Sequence, residues 1–124
     1  MSGINYEQRQ IFSAPVKFSD NSGVKKRPIL VLSNNKHNNE NNDLICCPIT
    51  SKNNYYGRDI GLDDYEIKTN ILPVVQSQVK SHLPFFIHKS LLSLPDGNKR
   101  IKLKKEFVDK VIADIKEIIE TSKK

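Results

Sequence analysis

Two apolar, β-branched runs separated by a stretch too polar to pack constrain this chain more than any other feature. Lys25 to Ser33 reads K-K-R-P-I-L-V-L-S, Asp43 to Ser51 reads D-L-I-C-C-P-I-T-S, and N-N-K-H-N-N-E-N-N lies between them. Short continuous runs of Ile, Leu and Val bounded by turn formers read as strands buried on both faces. Pro28 to Ser33 and Leu44 to Thr50 are therefore predicted as neighbouring strands, joined by a surface loop with room for one helical turn. Such a pair delivers the polar residues at its ends, Arg27, Thr50 and Ser51, to a shared edge.

The remaining elements follow from periodicity and turn chemistry. Ile11 to Phe18 is predicted as a strand, with Pro15 confining it to an edge or a bulge because proline donates no backbone hydrogen bond. Ser19-Asp20-Asn21-Ser22-Gly23 makes a hairpin loop. From Asn53 to Asn70, Gly57, Gly61 and acidic residues interrupt the pattern, leaving a long loop with a short strand around Arg58 to Leu62. Ile71 to Val79 and Phe85 to Ile87 are further predicted strands, Lys89 to Leu92 a helical turn and Pro95 to Asn98 a β-turn. Phe85 and Phe86 fall on opposite faces of an extended segment, one for the core and one for a partner subunit or a base. Phe107, Val111, Ile115, Ile118 and Ile119 recur at spacings of three and four, the apolar stripe of a helix from about Lys104 to Thr121. The fold class is mainly β (α+β), with one terminal helix.

A chain of 124 residues can bury one core but not two with independent stability, so residues 1–124 are read as a single domain. Nothing approaches the roughly 20 apolar residues of a membrane span, and the first ten residues lack the apolar centre of a signal peptide. A cytoplasmic location and no membrane contact are expected. Cys46 and Cys47 are adjacent, and in an extended strand they point to opposite faces, which argues against a mutual disulfide or a shared metal. Charge is uneven. Residues 1–58 carry eight Lys/Arg against four Asp/Glu, residues 59–98 three against five, and residues 99–124 nine against five, for a net charge of +6. The clusters Lys25-Lys26-Arg27 and Lys99 to Lys105 suit a phosphate backbone, since each cation that neutralises a phosphate releases counterions. Abundant Lys, Asn and Ile also fit an A/T-rich genome.

The sequence contains no Gly-rich phosphate loop, no G-x-S-x-G elbow and no metal-ligand spacing around His37, His82 or His88. No metal and no cofactor are expected. What remains is the edge with Arg27 and Thr50. Cleavage of RNA by its own 2′-hydroxyl needs help in removing that proton, a cation for the charged transition state and a donor for the leaving 5′-oxygen. Arginine suits the second task and assists the third, because its planar guanidinium holds a phosphate through two parallel hydrogen bonds at any working pH. Thr and Ser hydroxyls can hold the phosphate or the 2′-hydroxyl in line. The identity of the base stays open, with His82 near Lys80 able to act as acid or base.

Three blocks together carry a family resemblance. F-S-D-N-S-G-V-K-K-R-P-I-L-V-L-S-N-N (Phe18 to Asn35), D-L-I-C-C-P-I-T-S (Asp43 to Ser51) and S-Q-V-K-S-H-L-P-F-F-I-H-K-S (Ser77 to Ser90) resemble, in order and spacing, the MazF/PemK-like toxin family. The likeness runs from about Ile11 to Glu120. It implies a small SH3-like barrel of twisted antiparallel strands of the MazF/CcdB type and a homodimer. The implied activity is that of an endoribonuclease toxin of a type II toxin-antitoxin system, cutting single-stranded mRNA without metal to a 2′,3′-cyclic phosphate and a 5′-hydroxyl. By this match Arg27 and Thr50 are the catalytic pair. Ser19, Asp20, Ser22, Lys25 and Lys26 belong to a loop over the site, while Ser51, Ser77, Lys80 and His82 line the RNA groove. A cognate acidic antitoxin is the implied protein partner.

The match has departures. Arg9-Gln10-Ile11 stands where the family has G-D-I, and Lys80, His82 and Leu83 stand where it has Arg, Asp and Gln. Lysine lacks the bidentate fork and leucine cannot hydrogen-bond, so base specificity and rate are the properties most exposed to these changes. Two other functions are compatible with the same resemblance. One is a toxin that binds DNA gyrase, whose Trp-Gly-Ile ending this Trp-free chain lacks; the other is an RNA-binding or regulatory module without turnover.

Overall fold

The structure, a computed structural model, describes residues 5–17, 23–51, 57–73 and 76–122. The two apolar runs form neighbouring strands, and the sheet is built outward from them. In chain order the elements are β1 (Gln10–Lys17), β2 (Val24–Val31), α1 (Asn35–Glu40), β3 (Asp43–Ser51), β4 (Arg58–Ile60), β5 (Ser77–Val79), β6 (Phe85–His88), β7 (Ile101–Lys102) and α2 (Lys105–Ile119). All strand pairs are antiparallel, in the order β4-β5-β3-β2-β1-β7, with β6 pairing with the first half of β3. The two ends of this path approach each other at a bridge between Tyr65 and Leu103. There Glu66 N–H donates to Lys102 O at 2.9 Å and Lys104 N–H to Asp64 O at 2.8 Å. The result is a mainly antiparallel half-barrel with a C-terminal helix.

Alternation along the strands produces two cores, one on each face of the sheet. Ile11, Leu30, Cys47, Ile49 and Val79 face α2 and pack with its Phe107, Val108 and Val111. Phe12, Ala14, Ile29, Val31, Leu44 and Cys46 pack on the other side with Ile87 and Leu92. Each large side chain buried in this way is worth about 1.5–3 kcal/mol. Cys46 and Cys47 thus lie on opposite faces, as the strand pattern requires. Burial pushes both thiols up to about 12, which keeps them protonated and unreactive. Among the described residues no helix is long and apolar enough to cross a membrane.

Several sequence expectations need correction. β2 begins at Val24, four residues before Pro28, so Lys25, Lys26 and Arg27 lie within a strand, paired with Val16, Pro15 and Ala14 of β1. The expected strand Ile71 to Val79 shrinks to Ser77–Val79, and residues 71–73 stay outside the ladder although Leu72 is buried. A two-residue strand, β7, is present where none was expected. In α2 the apolar stripe is only half used: Ile115 is half-buried, while Ile118 and Ile119 are 57% and 75% exposed because the helix outruns the sheet beneath it. Val108 takes a core position that the stripe did not include. Between β2 and β3 the polar stretch does hold a short helix, α1, capped by Asn34 Oδ1 accepting from His37 N–H at 2.9 Å. Its Asn38 is buried because hydrogen bonds satisfy it, the amide donating to Tyr6 O and Ser33 O at 2.9 Å each. Phe85 is half-buried against the second core and Phe86 is 68% exposed, as alternation predicts.

Candidate functional site

The site begins with two prolines. β2 and β3 pair only from Ile29↔Pro48 to Val31↔Cys46. Pro28 and Pro48 stand where that ladder ends, and neither can donate a backbone hydrogen bond. Beyond them the strands take different neighbours. β2 continues alone with β1, whereas Ile49, Thr50 and Ser51 of β3 pair with Val79, Gln78 and Ser77 of β5. Lys80 N–H donates to Pro48 O at 2.8 Å and marks the handover. The two strands form a fork.

Extending the β2–β3 register by two residues puts Arg27 opposite Thr50 across this fork. A cleft of about 390 Å³ occupies it, lined by Lys26, Arg27 and Pro28 from one prong and Ile49, Thr50 and Ser51 from the other. Ser77 of β5, Ser13 of β1 and the loop residues Leu72, Pro73 and Pro95 complete the wall. The structure therefore brings together five of the residues singled out in the sequence: Lys26, Arg27, Thr50, Ser51 and Ser77. Lys25 is exposed on the same strand, outside the lining. Ser19, Asp20 and Ser22 lie outside the described residues.

Lys80 and His82, expected in the groove, are outside the cleft's lining, on the turn that continues β5. Lys80 is only 7% exposed, and burial lowers the pKa of its ammonium. His82 is half-buried. Its pKa falls below the ordinary 6.5, first through burial and then through the nearby Lys80 charge, so the ring is neutral at pH 7 and able to accept a proton.

Sequence reasoning missed the groups that organise this side of the cleft. Gln78 is the cross-strand partner of both Thr50 and Asp59, so Thr50, Gln78 and Asp59 form one row across β3, β5 and β4. Gln78 Nε2 donates to Asp59 Oδ1 at 3.1 Å, and Lys80 Nζ lies 3.4 Å from Gln78 Oε1. Gly57 makes the row compact, because with φ at +118° its backbone lies close enough that a Cβ would stand 2.6 Å from Val79 O and 2.8 Å from Gln78 Cγ. The alternation Gln78-Val79-Lys80 was the available signal that Gln78 and Lys80 share a face.

A second arginine shows what a structural cation looks like here. Arg58 of β4 forks onto Asp114 of α2, with Nε to Oδ2 at 2.9 Å and Nη2 to Oδ1 at 2.8 Å. The hydrogen bond from Arg58, aided by the charge and by the Ser81 hydroxyl, holds the Asp114 carboxyl below its ordinary value. The pair ties α2 to the β4–β5 edge.

The cleft thus gathers the cations of Lys26 and Arg27 with four hydroxyls, those of Ser13, Thr50, Ser51 and Ser77, a set suited to a phosphodiester. By overall shape the chain is similar to several solved structures. It matches MazE-MazF from Deinococcus radiodurans with a TM-score of 0.63 at 16% identity, over 96% of this chain and 100% of that one. It matches an endoribonuclease in complex with its cognate antitoxin from Mycobacterial species with a TM-score of 0.64 at 12% identity, over 94% and 97%. The Mycobacterium tuberculosis toxin MazF-mt6 gives 0.63 at 15%, over 92% and 99%. No curated protein matches the chain by sequence. A family model does, over residues 7–119, and by that match the chain belongs to the PemK-like, MazF-like toxins of type II toxin-antitoxin systems.

Proposed function

We propose that this toxin is an endoribonuclease that cleaves single-stranded mRNA in the fork between β2 and β3. The observation that carries the reading is one open cleft that Arg27 and Thr50 line together, with Lys26, Ser51 and Ser77 in the same lining. Arg27 grips the scissile phosphate through its planar fork and neutralises charge as it develops on the equatorial oxygens. Thr50, from the facing prong, holds the phosphate or the 2′-hydroxyl in line for attack. His82, neutral at pH 7, takes the 2′-hydroxyl proton, and Lys80 adds a further positive charge to those of Arg27 and Lys26. The attack forms a bond from the 2′-oxygen to phosphorus and breaks the bond to the 5′-oxygen, which Arg27 steadies by a hydrogen bond while it takes up a proton from solvent. A 2′,3′-cyclic phosphate and a 5′-hydroxyl result. Protein groups supply each of these functions, so the reaction proceeds without metal.

Lys25 and Lys26 draw the RNA in, consistent with the net charge of +6. The same charge suits an acidic antitoxin tail competing for the groove in the cytoplasm. A homodimer is supported by the apolar surface that Leu83, Phe86 and Leu91 leave exposed beside Pro15, Val16 and Pro48.

Purified protein incubated with a long single-stranded RNA in EDTA provides the test. Defined new 5′ ends bearing hydroxyls, absent with a folded Arg27→Ala variant, are expected. Intact RNA under these conditions overturns the reading; tight binding of that intact RNA indicates a module without turnover, and loss of gyrase supercoiling activity a gyrase poison.

A further inference from the structure

Gln78 is 2% exposed in a three-residue strand, and the reaction described above gives it no part. An amide buried this deeply needs both ends satisfied. Here Nε2 donates to Asp59 Oδ1 at 3.1 Å and Oε1 faces Lys80 Nζ at 3.4 Å. A carboxylate only accepts and an ammonium only donates, so this pair of neighbours admits a single orientation of the amide. The stem is held as firmly as the head, because the Gly57 backbone packs against Gln78 Cγ.

Lys80 needs such a neighbour. It is a flexible point charge without a fork of its own, and its burial works against the charged form. The charged and titratable groups around it are His82 on its own turn and, through Gln78, Asp59 on β4. Arg58 and Asp114 engage each other on the other face of β5, which follows Val79.

We propose that Gln78 is a positioning residue for RNA cleavage, acting through Lys80: the chain Asp59–Gln78–Lys80 holds the ammonium beside Thr50, where it meets the phosphate backbone. The proposal rests on the endoribonuclease reading and adds to it a residue that touches no substrate. Asp59 fixes the amide and the amide fixes the ammonium, which lacks the planar pair of parallel donors that an arginine would bring. The groove gains a placed charge.

Gln78→Leu keeps the volume and removes the hydrogen bonds with Asp59 and Lys80. Two measurements apply: steady-state RNA cleavage, and competitive acetylation of Lys80 across pH, read by mass spectrometry. Expected for Gln78→Leu are a kcat lowered about tenfold with KM within about twofold, and a Lys80 that titrates at lower pH than in the wild type. Gln78→Glu, which retains an acceptor, returns the Lys80 titration to the wild-type value or above and recovers part of kcat. A kcat within twofold of wild type in Gln78→Leu, a loss in KM alone, or an unchanged Lys80 titration overturns the proposal. If the wild type cuts no RNA, the endoribonuclease reading fails by itself, while acetylation still decides whether Gln78 governs Lys80. If Gln78→Leu does not fold, the exposed Asp59→Asn carries the test: a several-fold loss of kcat at constant KM supports the proposal, and wild-type kcat overturns it.

Discussion

Arg27 and Arg58 sit on strands of one sheet, and the difference between their surroundings separates function from architecture. Arg58 meets a carboxylate on another element, its Nε and Nη2 form a bidentate pair with it, and the result is a helix fastened to a sheet edge. Arg27 stands at a place where two strands stop pairing, among hydroxyls and prolines, in the wall of an open cleft. The same guanidinium is a fastener in one setting and, on the reading proposed above, a recognition group in the other. Arg58 has its charge met by a carboxylate of α2, whereas Arg27 lies in the wall of a cleft that also holds Lys26, Thr50, Ser51 and Ser77.

Substitutions can break this contrast, beginning with the largest expected effect. Arg27→Ala should lower RNA cleavage on the order of 10²–10³-fold with a melting temperature close to that of the wild type. A large loss of stability instead would make Arg27 a second Arg58. Arg27→Lys should restore the charge and little of the rate, since the fork is lost. Phe107→Ala, on the sheet-facing side of α2 at 4% exposure, should cost about 3–5 kcal/mol of stability in chemical denaturation, with intrinsic cleavage by the folded fraction preserved.

Smaller effects sharpen the same comparison. His82→Gln should remove the acid limb of the rate profile, which in the wild type lies below the ordinary histidine value of 6.5 because the pKa is lowered; an unchanged limb assigns the base to another group. Asp114→Asn should cost about 1 kcal/mol, the pair being partly exposed and screened. The sign follows from the depressed carboxyl pKa. The unfolded chain binds the proton more readily, so the contribution is complete above 3.8 and is lost as pH falls through the lower folded value. The gap in melting temperature between wild type and Asp114→Asn should therefore be constant at neutral pH and close only in acid. Smallest of all, iodoacetamide should leave Cys46 and Cys47 unlabelled in the native protein and modify both in urea, because their thiols are held at about 12.

What could be read from the sequence divides along the range of the interactions involved. β1, β2, β3 and α2 were legible because each carries its own periodicity. The residues of the fork were legible as polar ends of apolar runs and as a family likeness in K-K-R-P and P-I-T-S. β7 was not, since two residues carry no period and Ile101–Lys102 are a strand only by pairing with β1. Ile71 to Val79 misled because burial of Leu72 resembles strand burial without any ladder. Ile118 and Ile119 continued a stripe whose supporting surface had already ended. The Asp59–Gln78–Lys80 chain and the Arg58–Asp114 pair join residues across strands or elements, and only the register shows that they meet.

Gly57 has a consequence that belongs to genetics. Every other residue would bring a Cβ within 2.6 Å of Val79 O from a backbone at φ +118°, and would push on Gln78 from behind. In a selection for cells that survive induced expression of this toxin, escape alleles should therefore accumulate at codon 57 as well as at the codons for Arg27 and Thr50. Many of the codon 57 alleles should produce full-length, soluble protein that no longer arrests growth.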